Sequence, residues 1–162
     1  MTGIPPGIPP GTPAGTPAGT PAGNDTPPIT EDERVLRQSS IATTPNPIPQ
    51  TDYLCHLSGK LTSSGGQSTT VDLRYVPDKW ILLPAALADY LHALNTPAQE
   101  ALELTAQLLL DDLNNQLVAR WLQIVLTGPP EPATDIAAHR ILLEDRQPQW
   151  DNPALLQRIA GF

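Results

Sequence analysis

Residues 53–75 read Tyr-Leu-Cys-His-Leu-Ser-Gly-Lys-Leu-Thr-Ser-Ser-Gly-Gly-Gln-Ser-Thr-Thr-Val-Asp-Leu-Arg-Tyr. Apolar residues alternate along 51–61 and again along 70–75, on either side of a turn-rich segment with a Gly-Gly pair. Successive side chains of a β-strand point to opposite faces, so each run predicts a strand with one buried face. Joined by a glycine turn, the two runs predict a β-hairpin.

Two helices are predicted after the hairpin. Pro84 suits a first helical position, and leucines recur at helical spacing up to residue 94. Thr96 and Gln99 form a capping box that predicts the start of a second helix, and Asn114 marks its end. The predicted core stripe of this helix is Leu102, Ala106, Leu109 and Leu113.

Two further strands complete the predicted order. Residues 118–126 are apolar and β-branched, which indicates a buried strand. A weaker strand is predicted at 136–143, where a helix is the alternative. The order β-β-α-α-β-β predicts an α+β fold, with an antiparallel sheet and the two helices on one face.

The chain ends differ in composition from this middle part. Residues 1–39 contain Gly-Ile-Pro-Pro twice and then Gly-Thr-Pro-Ala three times, with almost nothing apolar to bury, which predicts a disordered tail. The folded domain is predicted over 40–145. The C-terminal tail, 146–162, is predicted to contain a short helix at 153–159.

Charge and hydropathy exclude several classes of function. The chain has nine Lys and Arg against seventeen Asp and Glu, a net charge of −8, and no basic cluster, so direct nucleic-acid binding is not expected. No apolar run is long enough to cross a membrane, and Met1 does not begin a leader, so a cytoplasmic protein is expected. The three histidines are scattered, and no metal is expected.

Cys55 is the single cysteine of the chain. A lone thiol is either a small buried hydrophobe or a nucleophile, and only the second reading makes the protein an enzyme. The residues of the predicted hairpin leave both readings open.

Six segments together resemble the QueF family of 7-cyano-7-deazaguanine reductases, which have the tunnelling fold, or T-fold. Thr-Pro-Asn-Pro at 44–47, followed by Asp52-Tyr53, is similar to the family's Phe-Pro-Asn-Pro segment. Leu-Cys-His-Leu-Ser-Gly at 54–59 is similar to its Leu-Cys-Pro-x-Thr-Gly motif, and Tyr-Val-Pro-Asp-Lys at 75–79 to its Tyr-Ile-Pro-Asp-Lys. Matches at family spacing follow at Tyr90-Leu91, Asp112-Leu113 and Arg120-Trp121.

The resemblance implies an activity of queuosine biosynthesis. In that family the cysteine thiolate attacks the nitrile of 7-cyano-7-deazaguanine, and NADPH reduces the resulting covalent thioimide to the 7-aminomethyl base. Cys55 matches the nucleophile. Glu103 matches the glutamate that holds the amidine edge of a purine-like ligand, with Glu100 as a rival one turn earlier. Family members form rings, so a homo-oligomer is implied, with sites between subunits.

Three departures count against that activity. The family's general acid is replaced by Thr62, which does not donate a proton as a carboxylic acid does. Its Glu-Ser-Lys-Ser segment, associated with NADPH, falls on Leu-Pro-Ala-Ala at 83–86, without the lysine. The family histidine before the glutamate falls on Leu102. Two hypotheses therefore remain: an oxidoreductase-like enzyme acting through Cys55, and a degenerate T-fold ring that binds a purine-like ligand or serves as a scaffold.

Overall fold

A computed structural model of the chain describes Met1, Gly3, residues 31–94 and 101–130, Ala133, Asp135 and residues 137–159. Its helices are α1 Glu31–Ser39, α2 Pro84–Ala93, α3 Leu102–Leu117 and α4 Pro153–Ile159, and its strands are β1 Thr43–Pro45, β2 Cys55–Thr62, β3 Ser68–Val76, β4 Trp80–Leu82, β5 Trp121–Thr127 and β6 Arg140–Arg146. The α+β class is confirmed. All strand pairs are antiparallel.

The main sheet has the strand order β2-β3-β5-β6. In the predicted hairpin, Cys55 pairs with Tyr75 and Thr62 with Ser68, so the register is continuous over the whole of β2. Burial alternates along β2, with Leu57, Gly59 and Leu61 directed inward and Ser58 and Lys60 exposed between them. The predicted alternation of buried and exposed residues is therefore present in β2.

The core lies between one sheet face and helices α2 and α3. Its largest buried side chains come from the middle strands and the two helices, namely Leu73, Tyr75, Leu122, Ile124, Tyr90, Leu91, Leu109 and Leu113. Strand β2 and helix α2 lie close together at Gly59, where a Cβ atom would lie 2.7 Å from Cδ1 of Leu91. We call this sheet face the inner face and the opposite one the outer face.

Both ends of helix α3 differ from the prediction: the described helix begins later, at Leu102, and it ends later, at Leu117. The predicted capping box at 96–99 lies outside the described residues, and the helix begins at Leu102 after Ala101, which makes no side-chain cap. At the other end, Asn114 and Asn115 do not stop the helix, because it continues until Leu117 is buried in the core. Val118 then adopts a left-handed conformation, with φ 44°, and closes it.

The remaining strand boundaries also differ from the prediction. β5 begins at Trp121 instead of residue 118, because Val118 belongs to the helix end. β6 covers Arg140–Arg146 instead of 136–143, in register with β5 from Thr127 to Trp121. A small second sheet of β1 and β4 was not predicted, since three-residue strands are too short to show a period.

The chain termini hold more structure than predicted. Helix α1 lies within the segment expected to be disordered, and it docks on α3 through Arg37 and Asp112, a contact that no local pattern indicates. The rest of the predicted tail, apart from Met1 and Gly3, lies outside the described residues. The predicted helix at 153–159 is present as α4. It packs with Ile159 against Trp121 and Val76, which point to the outer face, so not all helices share one face of the sheet.

Candidate functional site

Cys55 is the first residue of β2, which is an edge strand of the main sheet, and its side chain lies on the inner face. The thiol is half-buried and packs against the core. Directly across the ladder lies Tyr75, whose hydroxyl is within hydrogen-bonding reach of the thiol. The same hydroxyl accepts the N–H of Leu82 at 3.0 Å, which fixes its position.

The surroundings of Cys55 keep the thiol protonated. Burial raises the pKa of Cys55 above its ordinary value, and the hydrogen bond with Tyr75, which favours the thiolate, offsets only part of that rise. Burial also raises the pKa of the Tyr75 phenol, so this neighbour is a poor proton donor. A nucleophilic cysteine needs the opposite shift, since the thiolate is the reactive form.

Thr62, which occupies the place of the family's general acid, is far from the thiol. It is the last residue of β2, and Cys55 is the first. At the usual rise of an extended strand, the two Cα atoms lie about 23 Å apart. An acid at position 62 would therefore not reach a nitrile held at Cys55 in the same subunit.

Glu103 lies in the first turn of α3 and its side chain is 58% exposed. Its Oε1 atom lies 3.4 Å from Nε2 of His139, the residue just before β6. The carboxylate is therefore open to solvent and free of a buried ion pair, as an amidine-binding group would require. The rival Glu100 lies outside the described residues.

The structure does not bring Cys55 and Glu103 together within one subunit. The Cys55 end of the sheet contains Tyr75, Leu122 and Asp145 in consecutive register. His139, the contact of Glu103, precedes Arg140, which pairs with Thr127 at the other end. A ligand that touched both residues would have to lie between two copies of the chain.

The position of the family's NADPH segment, residues 83–86, is the start of α2. Leu83 is the N-cap, makes no side-chain cap hydrogen bond and is 41% exposed, and Pro84 follows it. Three of these four residues are exposed apolar side chains, and none carries a charge that would meet a phosphate.

Other residues that carry the resemblance form structural hydrogen bonds. Buried Asn46 donates through Nδ2 to the carbonyl oxygen of Asp78 at 2.8 Å. Its Oδ1 accepts the hydroxyl of Tyr53 at 2.8 Å and the N–H of Ile48 at 3.0 Å. These bonds fasten the segment before β2 to the turn after β3, which places Cys55 opposite Tyr75.

Asp52 and Arg120 form a second such network. Arg120 donates to Oδ1 of Asp52 at 2.6 Å, to Oδ1 of Asp78 at 3.1 Å and to the carbonyl of Pro49 at 2.7 Å. Asp52 also accepts Nε1 of Trp150 and Nδ2 of Asn152 through Oδ2, and together these donors hold its pKa below the ordinary value against the opposing effect of burial. This carboxylate thus holds the C-terminal segment on the sheet.

Asp112 is at the centre of a third hydrogen-bond network, and only 1% of its side chain is exposed. It accepts hydrogen bonds from Arg37, from Nε2 of Gln38 at 2.9 Å and from the hydroxyl of Tyr90 at 2.7 Å. Burial opposes ionisation, but these donors hold the pKa of Asp112 below its ordinary value. No local sequence pattern pairs Asp112 with these donors, because Arg37 and Gln38 are distant in the sequence and lie on the unpredicted helix α1.

Comparison with known proteins identifies no relative: no protein-family model matches the chain, and no curated protein matches it significantly. No helix in the described part of the chain is both long and apolar enough to span a membrane. Among the described residues, no group of three or more His, Cys, Asp or Glu side chains is placed to hold a metal ion.

Proposed function

We propose that this chain is a T-fold ring protein, related to the QueF-family reductases, that binds a purine-like ligand through Glu103 and lacks the covalent chemistry of that family. The observation that carries the proposal is the surroundings of Cys55. The thiol is half-buried with a raised pKa, and the position of the family acid lies at the other end of β2.

Assembly is supported by the edges of the main sheet. β2 and β6 are its outer strands, so each has one side that forms no ladder with the other described strands. Exposed strand edges favour pairing with another chain, and β2 and β6 run in opposite directions. A second copy could therefore extend the sheet in the antiparallel sense, and repetition of that contact closes a ring.

Ligand binding is supported by the open carboxylate of Glu103. A carboxylate accepts two parallel N–H bonds from an amidine edge, which both guanine and 7-cyano-7-deazaguanine present. Placement in the first turn of α3 favours a negative charge, because the helix dipole is positive there.

The test combines two measurements on the full chain. Light scattering after size-exclusion chromatography is expected to show a homo-oligomer. Calorimetry with 7-cyano-7-deazaguanine is expected to show binding that Glu103→Gln abolishes and Glu144→Gln, at another exposed glutamate, preserves. A monomer that binds no purine would overturn the proposal.

The family's NADPH-dependent reduction of 7-cyano-7-deazaguanine is the second candidate. One observation favours it: Cys55 is only half-buried on an outer strand, so a small electrophile could reach the thiol between subunits. Both proposals assume the cytoplasmic location that is expected from the sequence.

A further inference from the structure

His139 and Glu103 lie on the same side of the main sheet, at the end where β6 begins. The carbonyl of His139 accepts the N–H of Gly128 at 2.9 Å, so the β5–β6 ladder continues one residue beyond its last strand pair. Side chains alternate along a strand, and Ile141 packs against the core on the inner face, so the side chain of His139 is directed to that face too. Helix α3 packs on this face, and its first turn contains Glu103.

The two side chains approach each other without an ordinary hydrogen bond between them. Nε2 of His139 lies 3.4 Å from Oε1 of Glu103, beyond the range of about 2.7–3.2 Å that is usual for N–H···O bonds. The side chains are 55% and 58% exposed, and such a surface pair contributes little to stability. Both groups are therefore open to a ligand that approaches from solvent.

The surface beside this pair is apolar and open. Gly128, directly opposite His139 in the ladder, has no side chain, and a Cβ atom there would lie 3.7 Å from Cδ2 of Leu102. Leu102 is the first residue of α3 and is half-buried against the core. The polar pair is thus bordered by an apolar side chain and by uncovered backbone, a combination that suits a flat ring with a polar edge.

The pair presents hydrogen-bond acceptors and a donor side by side. The carboxylate of Glu103 accepts through both of its oxygens. A carboxylate beside Nε2 favours the tautomer of His139 that has its proton on that nitrogen, and the charged form also has a proton there. The order along the pair is therefore acceptor, acceptor, donor.

This order is complementary to the edge of a 6-oxo-2-aminopurine. Such a base presents the two N–H donors of its amidine and, next to them, the 6-oxo acceptor. An adenine-type base presents its amino group beside an unprotonated ring nitrogen. That nitrogen would face a carboxylate oxygen with no hydrogen between them, which costs binding energy.

We propose that His139 is a specificity-determining residue, and that its Nε2–H donates a hydrogen bond to the 6-oxo group of a base whose amidine edge binds Glu103. This rests on the proposed binding of a purine-like ligand by Glu103 and adds the contact that selects a 6-oxo base. The histidine comes from the segment before β6 and not from the position before Glu103, where the chain has Leu102.

The test is calorimetry of the full chain with 7-deazaguanine and its 6-thio analogue, which differ in one atom. Both keep the amidine edge, but sulfur is a weaker hydrogen-bond acceptor than oxygen. The wild type is expected to bind 7-deazaguanine about three- to ten-fold more tightly, the factor that one hydrogen bond provides. His139→Leu is expected to bind the two bases equally, whereas His139→Gln keeps the preference through its amide N–H. His92→Leu, at an exposed histidine of α2, is the matched control and is expected to keep it as well.

A preference for the oxo base that survives His139→Leu, or that is absent from the wild type while Glu103→Gln abolishes binding, would overturn the role of His139 and leave the proposed function standing. If His139→Leu weakened the binding of both bases by the same factor, His139 would act only by positioning Glu103, and the direct contact would be overturned. Binding of neither base by the wild type would overturn both the contact and the proposed purine site.

Discussion

Cys55 lies directly opposite Tyr75 in the β2–β3 ladder, and the phenol hydroxyl that approaches the thiol is itself fixed by the N–H of Leu82. The lone cysteine thus faces a neutral tyrosine in the core layer. Catalytic thiols are commonly activated by a nearby cation. The groups that shift the pKa of Cys55 include no cation.

The first prediction concerns the reactivity of this thiol. Because burial raises the pKa of Cys55, alkylation by iodoacetamide at pH 7 should be slower than for an unstructured cysteine peptide, and the rate should rise only at more alkaline pH. Tyr75→Phe removes the bond that favours the thiolate, so it should move the midpoint higher still. The denatured chain, as a control, should react like the peptide, whereas a native midpoint below that of the peptide would refute an inert thiol.

The second prediction concerns Asp112. Asp112→Asn should lower the free energy of unfolding by about 2–3 kcal/mol, because it removes a buried charge that Arg37, Gln38 and Tyr90 satisfy. Asp111→Asn, at the exposed neighbour on the same helix, should change it by less than about 0.5 kcal/mol. Urea denaturation followed by circular dichroism measures both, and equal effects would contradict the network.

The third prediction is the pH dependence of that difference. The folded-state pKa of Asp112 lies below its ordinary value of 3.8, so its stabilising contribution is complete above about that pH and is lost as the pH falls through the folded-state pKa. The gap in stability between the wild type and Asp112→Asn should therefore be constant near neutral pH and narrow below pH 3.8. If the difference in stability widened on acidification, the pKa of Asp112 in the folded state would not be lowered.

The fourth prediction concerns α1. Since Arg37 binds Asp112, Arg37→Met and Asp112→Asn should not be additive, with a coupling energy of about 1 kcal/mol or more in a double-mutant cycle. Deletion of residues 1–39 should lower Tm, although sequence patterns place the domain boundary after that segment. Additive effects, or an unchanged Tm after deletion, would indicate that α1 does not dock.

The fifth prediction uses the close approach of β2 and α2. Gly59→Ala should cost about 1–2 kcal/mol, because its Cβ would lie 2.7 Å from Cδ1 of Leu91, which is itself 2% exposed and has little room to move. Gly128→Ala is the matched control, since its nearest contacts would be 3.6 and 3.7 Å and it should be almost neutral. If Gly59→Ala and Gly128→Ala lowered the free energy of unfolding equally, α2 would lie further from β2 than the structure shows.

Local patterns were sufficient for much of the fold. Period-two alternation predicted the hairpin, and helical spacing from Pro84 predicted α2, because each strand or helix buries one face against the same core. The α1 helix and the β1–β4 pair were missed. Both depend on contacts distant in sequence, Arg37 with Asp112 and Thr43 with Leu82, which no window of the sequence contains.

The candidate site was less predictable than the fold. Sequence comparison selected Cys55 and Glu103 as individual residues, but the separation of Cys55 from position 62 is a property of the straight β2 strand.

Intact mass spectrometry after incubation with 7-cyano-7-deazaguanine at neutral pH shows whether Cys55 forms a covalent adduct, with Cys55→Ala as the control and calorimetry of the same samples for binding. The proposed inert thiol predicts unmodified protein for the wild type and for Cys55→Ala, together with binding that both retain and Glu103→Gln loses. A covalent adduct in the wild type that is absent from Cys55→Ala would contradict it and establish Cys55 as a nucleophile.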